Sequence, residues 1–248
     1  MKIGVVLLAL ILTGCQSIDR GSFGFFDRSL NNKSHGYRVV DDPTGTAPTA
    51  KVERFEVRPG DCASDSGWSD CKNDRERSEL SQQKPRENPG SSHWYGWSIY
   101  FPNDYITVAP TKVALGQFHQ TDAHPVWMFQ ETSGGYFLDD QVTGYTRRYH
   151  ELISENDLRG KWHQVEVHVR WTNKGDGFFK VWVNGEEKVN YSGPTMAKND
   201  VYFKYGLYRT FVSRYEQAHK KPIPAQVVYF SNVLRASSRD GLKRPSIR

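Results

Sequence analysis

Helical periodicity is scarce in this sequence, and no internal repeat or second domain is visible. Short runs of alternating apolar and polar residues recur instead, separated by turn residues. The clearest run is WHQVEVHVRW (Trp162–Trp171), and the Asn184-Gly185 pair further on is a typical hairpin turn. Many short strands with little helix argue against a helical fold and favour an all-β sandwich or jelly roll.

Long hydrophobic runs are also missing. The N-terminal run Ile3–Leu12 has about ten residues, whereas a bilayer span needs roughly 20. The run ends in LTGC, which resembles the lipobox of bacterial lipoproteins and implies a signal peptide over residues 1–14 and a lipidated Cys15. Residues 15–34 are rich in Gly, Ser, Asn and Phe, and we expect a tether there.

This resemblance places the chain in the bacterial cell envelope, anchored through lipid on Cys15. No aspartate follows Cys15 at the position that often retains lipoproteins in the inner membrane, so the outer membrane is the preferred location. A plain secretory signal and a periplasmic chain are the alternative.

Cysteine is scarce, since the whole chain has three. With Cys15 lipidated, Cys62 and Cys71 remain and can close a small loop in an oxidising compartment. The loop also offers carboxylates that suit calcium, namely Asp61, Asp65 and Asp70. Their spacing is not that of an EF-hand, so a solvent-exposed loop closed by a disulfide is favoured over a calcium site.

Acidic residues are outnumbered: 28 Asp and Glu against 33 Lys and Arg give a net charge of +5. A basic, aromatic-rich exported chain suits an anionic polymer, because positive clefts collect polyanions. No zinc finger or RNP motif is present, which favours a polysaccharide over a nucleic acid. We expect a monomer without a cofactor. We also expect no catalytic metal ion, because four histidines do not have metal-binding spacing: His93, His124, His163 and His168.

The segment VYFKYGLYR (Val201–Arg209) has two contrasting faces when it is read as a strand. One face is apolar and suits a core. The other presents Tyr202, Lys204 and Tyr208 around Gly206, whose lack of a side chain leaves room for a ligand to approach.

Two shorter segments also place polar residues on one strand face. In RSEL, Arg77 and Glu79 are two residues apart, and in QFH so are Gln117 and His119. If these strands lie side by side with the first segment, all of these polar side chains line one groove. The alternative is that each of them merely faces water on a half-buried sheet.

These segments carry a family resemblance. The pattern over residues 160–185 is similar to the hairpin of concanavalin-like jelly rolls, and the three segments resemble the signature segments of alginate lyase family 7. The wider chain is more similar to the glucuronan lyase and heparin lyase I-like families. The resemblance implies a concanavalin-like β-jelly roll over residues 35–248, with two stacked antiparallel sheets and a concave groove, and a polysaccharide lyase activity.

Such a lyase breaks a 1,4-linked uronate chain by β-elimination and leaves a C4–C5 unsaturated end. The resemblance implies that Arg77 and Gln117 neutralise the substrate carboxylate, while His119 and Tyr208 transfer the protons. We expect further substrate contacts from Lys204, Tyr202, Arg209, Glu79, Trp127 and Arg147. Glu79 is expected to brace the groove by pairing with Arg77.

The identity of the base depends on the sugar. In β-D-glucuronate and β-D-mannuronate the C5 proton and the C4 oxygen share a face, so one tyrosine can make both transfers. In α-L-guluronate they lie on opposite faces, and His119 would be the base with Tyr208 as the acid. A free phenol has a pKa of about 10, so Tyr208 as a base needs nearby cations, for which Lys204 and Arg209 are candidates.

Two positions depart from the alginate lyase pattern. Tyr205 stands where a small residue is more frequent, and Arg209 directly follows Tyr208, as in glucuronan lyase-like chains. A glucuronan-like polymer is therefore the preferred substrate, and alginate is the alternative.

Two other function classes are alternatives to a lyase. A carbohydrate-binding lipoprotein without catalytic activity would retain the basic groove on the same fold. A jelly-roll glycoside hydrolase needs two carboxylates flanking the scissile bond, and no closely spaced acid cluster of that kind is present.

Overall fold

Fourteen strands form two antiparallel sheets of seven strands each in residues 18–142, 148–198 and 200–243, which this computed structural model describes. No helix in these ranges is long and apolar enough to cross a membrane. The predicted signal peptide, Cys15 and Arg147 lie outside the described residues, so the expectations for them stay predictions.

The first sheet, here called the groove sheet, contains in spatial order β1 (Phe25–Arg28), β4 (Arg75–Lys84), β13 (Val201–Thr210), β6 (Lys112–Gln120), β7 (Trp127–Thr132), β8 (Gly135–Asp140) and β9 (Arg148–Ile153). The second, here called the back sheet, contains β12 (Glu186–Ser192), β11 (Phe178–Val183), β10 (Trp162–Arg170), β5 (Ser92–Tyr100), β14 (Gln226–Ala236), β3 (Lys51–Val57) and β2 (Tyr37–Asp41). Helix α1 (Val212–His219) follows β13, and short 3-10 turns span Glu155–Asp157 and Asp240–Leu242. The predicted all-β, two-sheet jelly roll is confirmed.

Strand β10 shows how the sequence pattern produces the sheet. Its valines at 165, 167 and 169 are fully buried against the groove sheet, and the residues between them are more exposed. The turn that joins β11 to β12 uses Asn184 and Gly185, which both have a positive φ (51° and 83°). This is the backbone that tight hairpins require, so the Asn-Gly signal is confirmed.

Aromatic rings join the two sheets. Trp97 on β5 lies 4.8 Å from Phe129 on β7 and 5.3 Å from Phe203 on β13, measured between ring centroids. Phe203 belongs to the apolar face of β13, where Val201, Tyr205 and Leu207 are also buried. The core face predicted for this strand is confirmed.

The predicted tether is wrong in its described part. Phe23 is fully buried in the core, and β1 pairs with the edge of β4 through registers such as Arg28 with Leu80. The Arg20 guanidinium also reaches inward and donates to Glu53, at 2.5 Å. The Gly- and Ser-rich composition of this segment suggested a linker, but Phe23 lies in the core and Phe26 packs against it, which buries apolar surface that a free chain would leave in water. The folded domain therefore begins well before residue 35.

Gly206 has a different role from the one expected. It has a φ of 132° and lies where the pairing of β13 with β6 shifts register between Tyr205 and Tyr208. A Cβ atom here would overlap the Ser78 carbonyl oxygen and lie 2.8 Å from Phe55 Cδ1. The glycine allows close approach of β4 and a bulge that sets the direction of Tyr208, and it does not make room for a sugar.

Replacing Gly206 with alanine should lower the free energy of unfolding by about 3 kcal/mol or more, because backbone strain and a steric clash add together. Gly90→Ala is the matched control, since Gly90 also has a positive φ (95°) but nothing within 4 Å of its Cβ position. The control should lose only about 1–2 kcal/mol. Urea unfolding measures both values, and equal losses would show that the contact with β4 does not constrain this position.

Candidate active site

One groove of about 1230 Å³ crosses the groove sheet and brings the three predicted segments together. It is lined by six of the predicted site residues: Arg77, Gln117, His119, Tyr202, Lys204 and Tyr208. The order β4–β13–β6 explains this, because Tyr208 pairs with Arg77 while Lys204 pairs with Gln117 and Tyr202 with His119. His119 therefore lies toward one end of the polar stripe, and Tyr208 with Arg77 toward the other.

Glu79 lies beneath the middle of this stripe and is only 3% exposed. Its carboxylate accepts hydrogen bonds from the Gln117 amide, from Lys204 Nζ at 2.6 Å and from Arg77 Nη1 at 3.4 Å. Burial by itself would raise the pKa of Glu79, but the charges of Lys204 and Arg77 outweigh it and hold the pKa below its usual value. Glu79 is thus a buried anion that orients three polar groups of the groove, including the expected partner Arg77.

A second buried carboxylate, Asp70, holds Arg77 in place. Asp70 is fully buried and accepts both Arg77 Nε and Nη2 at 2.6 Å, a bidentate pair with fixed geometry. Arg77 Nη1 also donates to Ser29 Oγ at 3.1 Å, and the Tyr208 ring centroid lies 4.2 Å from Arg77 Cζ. Each guanidinium nitrogen therefore has a protein partner, and the charge is fixed beside the Tyr208 ring.

Asp70 comes from the loop that the disulfide between Cys62 and Cys71 closes. Trp68 in the same loop donates its indole N–H to Asp70 at 2.8 Å; this tryptophan is 44% exposed and lines the groove. Sequence reasoning missed both roles and treated the loop as solvated. The signal that was available was an aspartate next to a disulfide cysteine, seven residues before the arginine that it holds.

His119 presents a neutral imidazole to the groove. Its Nδ1 lies 2.7 Å from the Gln120 carbonyl oxygen, which can only accept, so Nδ1 carries the proton and Nε2 is the basic nitrogen. Burial, with the charge of Lys204, lowers the pKa of His119 to about 4. The imidazole is therefore neutral at physiological pH.

Tyr208 presents a protonated phenol to the groove. Burial raises the pKa of its phenol above 10.0, although the charge of Arg77 works in the opposite direction. The hydroxyl therefore keeps its proton at neutral pH. A neutral imidazole and a protonated phenol along the same groove can remove a proton from one atom of a bound molecule and deliver a proton to another.

Two expected substrate contacts are wrong. Arg209 is fully buried, where its guanidinium pairs with Glu76 at 2.5 Å and donates to the Pro224 carbonyl at 2.6 Å. It follows Tyr208 directly, and strand alternation therefore turns it away from the groove into the sandwich. Trp127 is fully buried as well, with its ring stacked 4.0 Å from that of Phe179. The exposed indole of the groove belongs to Trp68.

The loop aspartates are engaged by the protein. Asp61 pairs with His35 at 2.7 Å, and Asp65 accepts the backbone N–H groups of Gly67 and Trp68 at 2.8 Å. In the described residues, no group of three or more His, Cys, Asp or Glu side chains could hold a metal ion.

Comparison with known proteins gives a family. A sequence model described as polysaccharide lyase matches residues 19–234 of this chain. No curated protein sequence matches it.

Solved structures show the same fold at low identity. The endo-β-1,4-glucuronan lyase of the fungus Trichoderma reesei is 16% identical, with a TM-score of 0.63 over 89% of this chain and 94% of that one. A product complex of the family 7 alginate lyase A1-II′ is 15% identical, with a TM-score of 0.60 over 88% and 97%. The family 7 alginate lyase AlgAT5 is 17% identical, with a TM-score of 0.58 over 83% of each chain.

The bidentate pair of Asp70 with Arg77, here called the clamp on Arg77, can be tested by Asp70→Asn. The variant leaves a buried guanidinium without its counter-charge, so the free energy of unfolding should fall by about 3–5 kcal/mol. Asp65→Asn is the matched control in the same loop, because Asp65 is exposed and should lose less than about 1 kcal/mol. Denaturant unfolding with the disulfide intact measures both. A loss at Asp70 no greater than at Asp65 would contradict the clamp.

Proposed function

Because the chain belongs to the polysaccharide lyase family, we propose that it cleaves a 1,4-linked uronate polysaccharide by β-elimination, with a glucuronan-like polymer as the preferred substrate. The observation that carries the proposed β-elimination is the presence, in one groove, of the neutral imidazole of His119 and the protonated phenol of Tyr208. Between them lie a cation and an amide suited to a carboxylate, Lys204 and Gln117.

The substrate carboxylate must be neutralised first. The C5 proton of a uronate is weakly acidic, because the adjacent carboxylate is already negative. Lys204 and Gln117 each give one N–H to Glu79 and keep further N–H groups, which we assign to the substrate carboxylate. Arg77 is committed to Asp70, Ser29 and Glu79, so its part is to supply positive charge near the reacting ring and beside Tyr208.

The elimination then moves one proton off carbon and one proton onto oxygen. The base takes the C5 proton, and the electron pair of that bond forms an enolate-like intermediate stabilised by Lys204 and Gln117. The C4–O bond breaks as the C4–C5 double bond forms, and the acid protonates the departing oxygen. The products are a new chain end carrying a hydroxyl and an unsaturated uronate.

The roles of His119 and Tyr208 differ between the two candidate substrates. On glucuronate, where both transfers occur on one face, Tyr208 would lose its own proton and then act as base and acid, with Arg77 favouring the phenolate. On guluronate, His119 removes the C5 proton and Tyr208 donates. The resting protonation of both residues favours the second arrangement, which makes guluronate-containing alginate the second candidate.

The glucuronan preference rests on similarity. The glucuronan lyase of Trichoderma reesei has a TM-score of 0.63 to this chain, against 0.60 for the family 7 alginate lyase in complex with product. The two sequence departures that pointed the same way, Tyr205 and Arg209, lie inside the sandwich and do not line the groove. They favour glucuronan only because they set the sequence apart from the alginate lyase pattern, and not because they contact the substrate.

We also keep as a proposal that a lipid on Cys15 anchors the enzyme in the cell envelope. There it would meet polysaccharide outside the cytoplasm.

Ultraviolet absorbance tests the reaction. The purified chain is incubated separately with polyglucuronate, polymannuronate, polyguluronate and heparin, and a rise is expected because the new double bond is conjugated to the carboxylate. Tyr208→Phe should lower the rate at least about a hundredfold. Tyr229→Phe, which removes a phenol hydroxyl from the back sheet, should leave it unchanged. Binding without any rise would contradict the elimination and favour the non-catalytic carbohydrate-binding alternative.

The pH dependence of kcat/KM separates the two candidates. With His119 as base on polyguluronate, kcat/KM should be flat through neutral pH and fall in acid as His119, whose pKa is lowered to about 4, becomes protonated. With Tyr208 as base on polyglucuronate, kcat/KM should rise about tenfold per pH unit through neutral pH, because the raised pKa keeps the phenolate rare. A flat profile on polyglucuronate would exclude the phenolate base.

A further inference from the structure

A cluster of two arginines and a phenylalanine lies at the Tyr208 end of the groove. Arg75 is the first residue of β4 and pairs with Thr210, two positions beyond the pairing of Arg77 with Tyr208. The chain then passes through Phe211 into α1, which carries Arg214 in its first turn. Arg75, Phe211 and Arg214 all line the groove, and none of them was singled out in the sequence.

The phenylalanine holds the two guanidinium groups close together. Arg75 Cζ and Arg214 Cζ each lie 4.0 Å from the centroid of the Phe211 ring, so the two carbons are no more than about 8 Å apart. Phe211 is 38% exposed, and its backbone has the left-handed φ of 60° that a bulky residue rarely adopts. Hydrogen bonds of the Phe211 backbone to Asp74 and Thr111 keep it there.

Neither arginine of this cluster forms an ion pair with a residue that the structure describes. Arg77 and Lys204, by contrast, are both paired with buried carboxylates. Two like charges held together repel, and a bound anion would relieve that repulsion.

The groove is also asymmetric in charge along its length. At the His119 end its lining includes the carboxylate of Asp122, whereas the lining around Arg77 and Tyr208 includes the cations Arg75, Arg214 and Lys112 against the carboxylate of Asp65. A polyanion lying in the groove is therefore attracted most strongly at the Tyr208 end. Arg75 and Arg77 share a strand face and are roughly 7 Å apart along β4, so the cluster lies beyond the ring that reacts.

We propose that Arg75 and Arg214 form a second carboxylate subsite, which binds a uronate unit further along the polymer on the Tyr208 side of the cleaved linkage. This inference rests on the proposed function, because it takes the groove to be occupied by a uronate chain. The subsite makes recognition depend on chain length: a short oligomer fills the centre of the groove only, and a longer one also reaches the arginine pair.

The test measures binding of glucuronate oligomers to the full chain carrying Tyr208→Phe, so that turnover does not interfere. A dimer and a hexamer are titrated by calorimetry against this background and against the same background with Arg75→Gln and Arg214→Gln. We expect the double substitution to weaken hexamer binding at least about tenfold and to leave dimer binding unchanged. If glucuronate is not the cleaved uronate, oligomers of the polymer that gives the absorbance rise are used.

The matched control substitutes two exposed cations that do not line the groove, Arg38→Gln and Lys174→Gln. It removes the same net charge and should leave the binding of both oligomers unchanged. An equal loss in the control would reduce the effect to overall charge and overturn the subsite. An equal loss for dimer and hexamer in the Arg75 and Arg214 variant, or no loss at all, would overturn it as well.

Failure of the subsite and failure of the proposed function give different results. Hexamer binding that depends on the arginine pair, in a protein whose unsubstituted form gives no absorbance rise on any uronate polymer, would support the subsite and overturn the lyase reaction on these substrates. An absorbance rise lost in Tyr208→Phe, with no dependence of binding on chain length, would keep the reaction and overturn the subsite.

Discussion

The site depends on two carboxylates that are buried beneath the groove. Glu79 and Asp70 neutralise Lys204 and Arg77 and fix their positions, and removing one member would leave a charge buried without its partner. Because these charges balance within the sheet, the centre of the groove can place cations next to a substrate without like-charge strain. The surplus positive charge lies further along, at the Tyr208 end.

Strand β13 connects this polar centre to the hydrophobic core. One of its faces packs aromatic residues between the sheets, and the other supplies Lys204 and Tyr208 to the groove. The glycine bulge at position 206 lets the strand lie close to β4. Behind it, the Tyr205 hydroxyl donates to buried Glu53, which Arg20 from the N-terminal segment also contacts. The segment expected to be a tether therefore supports the strand that carries the proposed acid.

The chain belongs to the polysaccharide lyase family, and the protonation states of His119 and Tyr208 in the groove support the proposed β-elimination. Burial is the common cause: it lowers the pKa of His119 and raises that of Tyr208, so that each residue rests in its neutral form. Burial disfavours the charged form of each group, so the neutral forms have the lower free energy in the groove. These protonation states do not identify the uronate. An elimination across opposite faces uses the neutral forms directly, whereas an elimination on one face requires a phenolate.

Strand alternation and turn residues, which are local properties, predicted an all-β sandwich or jelly roll and the core face of β13. The groove-lining position of His119 and its neighbours was predicted only with the help of the family resemblance, which implied that the three strands lie side by side. Strand alternation could also have excluded Arg209 from the groove, because it directly follows Tyr208 and its side chain must point to the opposite face. The roles of Asp70 and Trp68 did not follow from strand alternation, since the bidentate contact of Asp70 with Arg77 requires a loop to fold back over β4. Tertiary structure alone decided which indole is exposed and where charge is left unpaired, because both depend on contacts between segments distant in sequence.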